Sequence, residues 1–288
     1  MVQKSLWLSL CLLAAMPVTA IARTAPAEPA RAYIETSYVI APQSVDDFTL
    51  ERSSYDPANK LAGAGFGYRS SDAPQATASV FVYPSGRMDE ATAVETGMQT
   101  LHSELKQAEA AGIYAQVQEL DEAPFALNAD TALRKGANDI DTAVILAIAN
   151  AEQVHGRRLR LSMQHVSSNQ PLHSSAYLFY KQLYYAKLRI SADQASMSRE
   201  AFDTLADRAA RSLIAAVKVA NVGGCASSTM YVDPKAKPEQ GAVQLATQMA
   251  TQLGYNCHGT AKEAGVDQRA SGVSVIEIHY DANDWKSQ

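Results

Sequence analysis

The sequence predicts an α+β protein: a mainly antiparallel sheet flanked by helices, in the manner of an α/β/α sandwich, followed by a small β-α-β unit. Two observations carry that prediction. Apolar residues alternate at period two in several runs joined by hairpin-length connectors, which pair antiparallel, and two longer runs carry apolar residues at helical spacing. Composition agrees: of 288 residues 47% are apolar and 19% charged, the range of a globular chain.

The chain opens with Met1 to Lys4, a short positive start, then Ser5 to Met16, a twelve-residue and almost wholly apolar run. Small or β-branched residues follow, up to Ala20. This is the three-part layout of a secretory signal peptide over residues 1–20, and the apolar run is too short to span a bilayer. The cleavage expected is after Ala20, with a second acceptable position after Ala22. Cys11 sits mid-run behind Leu10, which is no lipoprotein signal. Removing the twenty residues removes one lysine and no acid, so the net charge moves from −5 to −6. The remaining chain has no apolar run long enough for a membrane span, and an acidic balance without basic clusters argues against a nucleic-acid partner. Residues 21–44, including Thr24-Ala-Pro-Ala-Glu-Pro-Ala30, read as a spacer.

Three strands are expected at Phe48–Ser53, Leu61–Arg69 and Ala76–Tyr83, separated by turn-forming Tyr55-Asp-Pro-Ala-Asn59 and Ser70-Ser-Asp-Ala-Pro74. The clearest helix follows. Ala91, Val94, Met98, Leu101, Leu105 and Ala108 recur at spacings of three and four, with Asp89 as N-cap and Gly112 as the stop. Ile113–Leu120 is a strand; Ile140–Val154 fits a helix stopped by Gly156 or a buried strand. Strands are expected at Arg157–Val166, Ser174–Tyr180 and Leu183–Ile190, and a second helix from Ser198 to Ala220.

This order resembles the exported α/β/α sandwiches of the Mog1/PsbP/DcrB-like group. The opening meander, Ala76–Gly86 before the first helix and Tyr184–Ser191 before the second carry the likeness, over residues 45–220. The resemblance implies a fold and an exported setting; a fold that serves many roles names none of them.

Residues 221–288 read as a small separate unit. Gly223-Gly224 marks its start and Ser227–Val232 a short strand. A helix begins at Pro238 and stops at Gly254, and Ser271–Tyr280 is a partly buried strand. Cys225 and Cys257 are the two cysteines left after export, an even number in an oxidising compartment. A disulfide between them would close a loop of about 33 residues and contribute ~3–4 kcal/mol in the chain-entropy model. Two unpaired thiols, or a redox or metal role, are the alternatives. Cys257-His258 alone is too few ligands for zinc.

No hydrolase, nucleotide-binding or metal motif occurs, and no residue stands out as catalytic, cofactor-binding or metal-ligating. Gly63, Gly65 and Gly67 lie at period two, but Tyr68 stands where a dinucleotide fingerprint needs glycine. A helix packed closely on that smooth strip, or a ligand approaching the backbone, would explain it. His155, His165 and His173 lack metal spacing. Tyr177, Phe179, Tyr180, Tyr184 and Tyr185 form an aromatic group that packs across strands or, if exposed, offers a sugar- or peptide-binding platform. The function expected is an exported, non-enzymatic protein that binds an envelope partner or a small apolar ligand. The alternative is an exported hydrolase with a site assembled from distant strands.

Overall fold

The computed structural model describes residues 31–128, 140–281 and 284–285, and the chain from Arg31 on forms one compact unit. The expected signal peptide over residues 1–20, its expected cleavage positions at Ala20 and Ala22, and the first ten residues of the expected spacer lie outside the described residues.

In chain order come β1 (Thr36–Pro42), β2 (Ser44–Val45), β3 (Phe48–Tyr55), a 3-10 segment (Pro57–Ala62), β4 (Ala64–Ser70), β5 (Thr77–Pro84), α1 (Glu90–Ala110) and β6 (Tyr114–Ala126). Then follow α2 (Ile140–Ala151), β7 (His155–His165), β8 (Gln170–Lys181), β9 (Tyr184–Asp193) and α3 (Arg199–Ala216). β10 (Lys218–Val222), a 3-10 turn (Gly224–Ala226), α4 (Pro238–Gly254), β11 (Cys257–His258) and β12 (Val273–His279) complete the chain.

Eight strands form one antiparallel sheet in the order β2-β3-β4-β5-β9-β8-β7-β6, which bears out the expected fold class. Alternation along β8 and β9 explains why both faces are covered. Tyr177, Phe179, Tyr184 and Leu188 point to one side, where Phe202, Leu205, Ala209 and Leu213 of α3 cover them. Leu178, Tyr180 and Tyr185 point to the other, where Val94, Met98, Leu101 and Leu105 of α1 cover them. Four of the six stripe residues on α1, Val94, Met98, Leu101 and Leu105, are therefore buried, while Ala108 is half-buried and Ala91 exposed. Asp89 accepts from the Thr92 amide at 3.1 Å, and Gly112 ends the helix with φ of 69°.

The expected spacer and the expected separate C-terminal unit are both corrected by a second sheet, ordered β11-β10-β1-β12. β1, drawn from the supposed spacer, is one of its two interior strands, beside β10. It pairs antiparallel with β12 from Thr36 opposite His279 to Pro42 opposite Val273. Val39, Val219 and Ile278 of this sheet, with Tyr280 and Trp285, enter the same core as α3. The physical reason is sequence distance: β1 finds its partners near the far end of the chain, and local composition carries no trace of such a pairing.

Other boundaries move for local reasons. α3 ends at Ala216, because Lys218–Val222 pair with β1; the Ala/Val run suited helix and strand alike. Ser227–Val232 is not a strand: the Tyr231 backbone bonds both ways to the Gln248 side chain of α4, at 3.0 and 2.7 Å. Ile140–Ala151 is a helix. β6 runs on to Ala126 and tolerates Pro124 because it lies at the sheet edge. Leu61 and Ala62 belong to the 3-10 segment that precedes β4. Gly63 ends it at φ 73°, where a Cβ would stand 2.0 Å from the Val82 carbonyl oxygen, so only glycine fits. The strip at Gly65 and Gly67 is covered by no helix but by Ser54, Phe81 and Arg52 from the flanking strands.

Candidate binding cleft

A cleft of about 1070 Å³ opens between the start of α1, the β8–β9 hairpin, and the helices α2 and α4. Each wall has a sequence-level cause. The hairpin loop is two residues, Gln182 and Leu183, with φ of 55° and 70°; positive φ at both positions is the primed turn that matches strand twist. A leucine there costs about 1–3 kcal/mol of backbone strain. The strain is offset because the Leu183 side chain is fully buried and because Gln182 is tied down: its Oε1 accepts from the Val219 amide at 2.7 Å.

Lys181, beside that turn, lines the cleft and sends its ammonium to the carbonyls of Ile214 (2.6 Å) and Val217 (2.8 Å). Those are orphan acceptors at the C-terminus of α3, so the lysine serves as a cap across the fold. Burial, with Lys218 nearby, pulls its pKa down to about 8. Tyr180 donates to the Gly86 carbonyl at 3.0 Å and accepts from the Met88 amide at 3.2 Å, fixing the turn that leads into α1. Burial raises its pKa well above the ordinary phenol range.

Between those two anchors Arg87 stands exposed at the cleft, its guanidinium 6.0 Å from the centre of the Tyr255 ring. Tyr255 follows α4 and is nearly buried. Its carbonyl accepts from Asn221 at 2.9 Å, and the same buried carboxamide donates to the Gln182 carbonyl at 3.0 Å and accepts from Ser37 at 2.7 Å. One asparagine thus joins β10 to the hairpin and to the end of α4. Cys225 and Cys257 hold that end as well: their Cα atoms are 5.7 Å apart, a disulfide distance, and Gln252 of α4 donates to the Cys225 carbonyl at 2.6 Å.

The remaining wall is mainly apolar. α2 has no polar face beyond Asp141, Thr142 and Asn150, and no residue of it is buried. It packs on α4, whose buried residues are the small Ala246 and Ala250. Ala147, Ala151, Val154, Val243, Ala250 and Leu253 line the cleft together with the polar Asn150, Thr247 and Thr251, and Leu253 is 75% exposed. No histidine or cysteine lines it.

A second, smaller groove of about 680 Å³ runs between α1 and the ends of β6 and β7. His102 of α1 donates from Nδ1 to Glu119 (2.8 Å) and from Nε2 to Glu122 (2.9 Å), and Arg157 pairs with Glu122. A neutral imidazole has one N–H, so both bonds together require the imidazolium. Partial burial works against that charge, but the two carboxylates prevail and raise the His102 pKa.

Of the histidines noted in the sequence, His155 lies in this groove with Glu90, whose Oε1 takes its amide at 2.9 Å. His165 bonds Ser168 in an exposed turn, and His173 packs on Phe202. The structure brings none of the three together in a metal cluster among the described residues. The five aromatics of β8 and β9 are all buried, so they are packing and not a platform. The sequence reading missed Arg87, Lys181, Asn221 and Tyr255. Only the apolar character of α2, excessive for a surface helix, pointed toward the cleft.

No family model and no curated protein matches this chain. Among solved structures it is similar to cyanobacterial PsbP (CyanoP) from Synechocystis sp. PCC 6803, with a TM-score of 0.35 and 10% identity over 71% of this chain and 99% of that one. Among the described residues no helix is long and apolar enough to cross a membrane.

Proposed function

We propose that this chain is an exported binding protein of the Mog1/PsbP/DcrB-like kind, and that it holds a small apolar ligand in the cleft between α2, α4 and the β8–β9 hairpin. The observation that carries the reading is the cleft itself. Its size is near the upper end of the ordinary range for small-molecule sites, and its walls combine an aliphatic strip, Ala147, Ala151, Val154, Val243, Ala250 and Leu253, with polar side chains that include Arg87, Tyr255, Asn150, Thr247 and Thr251. Such a lining holds and orients a molecule; it presents no nucleophile with an adjacent base. The signal-peptide layout of residues 1–20 and the cysteine pair at disulfide distance support export. The hydrolase alternative needs a histidine, an acid and a hydroxyl within reach of one another. The second groove supplies histidines and acids but no serine, threonine or cysteine, and both ring nitrogens of His102 are engaged by carboxylates.

Native mass spectrometry of the protein isolated from its own compartment, without reducing agent, tests the reading. The expected spectrum shows a chain lacking residues 1–20, lighter by two hydrogen atoms than the dithiol, with a bound small molecule. A full-length or intracellular chain would count against export, and a bare chain that also refuses apolar ligands would count against binding.

A further inference from the structure

The polar end of the cleft is specific about charge. Arg87 has no carboxylate within ion-pair reach among the described residues, whereas Arg157, Arg158 and Arg160 on β7 are all matched to acids. Its only described contact is the face of Tyr255, and its electrostatic neighbours are the phenols of Tyr33, Tyr180 and Tyr255. Tyr180 is used on Gly86 and Met88, but the hydroxyls of Tyr33 and Tyr255 have no hydrogen-bond partner among the described residues. The guanidinium and the Tyr255 phenol therefore meet in the lining of the cleft, and the half-buried Tyr33 phenol lies within electrostatic range of both, behind that lining.

The acids close by are committed. Asp89 accepts from the amide and hydroxyl of Thr92, at 3.1 and 3.3 Å, and Glu90 accepts from the His155 amide and faces its ring at 3.6 Å. Glu152 stands exposed at the far end of α2. α1 begins at Glu90, three residues past Arg87, so the positive end of a 21-residue helix adds to the field. Lys181 adds a second cation beneath the floor.

We propose that the ligand is a long-chain carboxylate whose head group is held by Arg87 and the Tyr33 and Tyr255 hydroxyls while its chain lies between α2 and α4. This rests on the binding role given above to the same cleft. The chemistry is complementary at both ends. A carboxylate accepts from a planar guanidinium fork and from phenols, and Ala147, Ala151, Val243, Ala250 and Leu253 of the helix walls give its chain methyl and methylene surface, interrupted by Asn150, Thr247 and Thr251. Arg87 is preorganised by its stacking on Tyr255, which Asn221 and the Cys225–Cys257 pair hold in turn.

The experiment is a calorimetric titration of the oxidised protein with tetradecanoate, with tetradecanol and with tetradecylamine, in wild type, Arg87→Gln and the double variant Tyr33→Phe/Tyr255→Phe. Wild type should bind the carboxylate at least about tenfold more tightly than the alcohol, and the amine most weakly. R87Q should lose that preference, weakening carboxylate binding far more than alcohol binding; the phenylalanine pair should lose part of it. Charge-assisted hydrogen bonds of ~1.5–3 kcal/mol set that scale, at 1.4 kcal/mol for each factor of ten. Equal binding of carboxylate and alcohol by wild type, or equal loss of both in R87Q, overturns the head-group assignment and leaves the apolar cleft standing. Binding of none of the three overturns both. Arg87 is exposed and bears no core contact, so R87Q folds; circular dichroism of each variant confirms that a lost affinity is not a lost fold.

Discussion

The side-chain amide of Asn221 lies 2.9 Å from the carbonyl oxygen of Tyr255, and this single bond ties the interior of the smaller sheet to the aromatic floor of the cleft. Asn221 is fully buried and spends both donors, on Gln182 and Tyr255, and accepts from Ser37. Replacing it by leucine takes the donor from two carbonyls at once, while the Ser37 hydroxyl keeps Tyr184. At about 1–3 kcal/mol for a buried unsatisfied group, N221L should lose about 3 kcal/mol or more of stability in urea unfolding. An unchanged midpoint would show that water satisfies those groups.

Replacing Cys225 and Cys257 together by serine should lower stability by about 3–4 kcal/mol, as expected for opening a loop closed over a sequence separation of 32. The same variant should bind apolar ligands more weakly, because the C-terminal end of α4 is anchored by that pair. A double serine variant with wild-type stability in non-reducing buffer would mean the two thiols are not joined.

Lys181 makes stability rise with pH on the alkaline side. Its pKa in the fold is near 8, below the ordinary 10.5. Between those values the unfolded chain holds the proton that the folded chain has released, so stability increases as pH rises from 8 toward 10. Lys181→Met abolishes the increase, which is read as the difference between wild type and variant in unfolding free energy at pH 8 and pH 9.5. Parallel pH profiles for the two proteins would contradict the assignment.

His102 acts in the opposite sense. Its folded pKa is raised above 6.5 by Glu119 and Glu122, so its contribution is fully present below 6.5 and is lost as pH rises through the raised value. Thermal unfolding of wild type should therefore soften from pH 6 to pH 8 by more than that of His102→Gln. Proton NMR of the imidazole gives the titration directly, and a pKa at or below 6.5 would show that the clamp between α1 and β6 does not form.

The sequence was legible wherever structure is local. The stripe named Val94, Met98, Leu101 and Leu105, which α1 buries, Asp89 and Gly112 marked its ends, and the runs Ser174–Tyr180 and Leu183–Ile190 named two strands, β8 and β9. It was silent where partners are remote. Thr36–Pro42 is a short apolar run rich in strand-forming residues, but its mates are Lys218–Val222 and Val273–His279, and nothing nearby announces them. The Val/Ala run after α3 suited either structure, and only pairing with β1 decided it. The cleft was hidden for the same reason. Arg87, Lys181, Asn221 and Tyr255 come from four separate parts of the chain and make no motif, and Cys225 and Cys257 were the one remote pair that residue type alone could suggest.

Titration with a neutral solvatochromic dye such as Nile red, in wild type and in Ala147→Trp, bears most directly on whether the cleft is the binding site. Ala147 lines the cleft from α2, and an indole there fills the space without touching Arg87 or the core. Wild type should show saturable, blue-shifted dye emission that tetradecanoate displaces, and A147W should show little of either. Dye binding that is absent in wild type, or undiminished in A147W, would contradict the assignment of the ligand to this cleft.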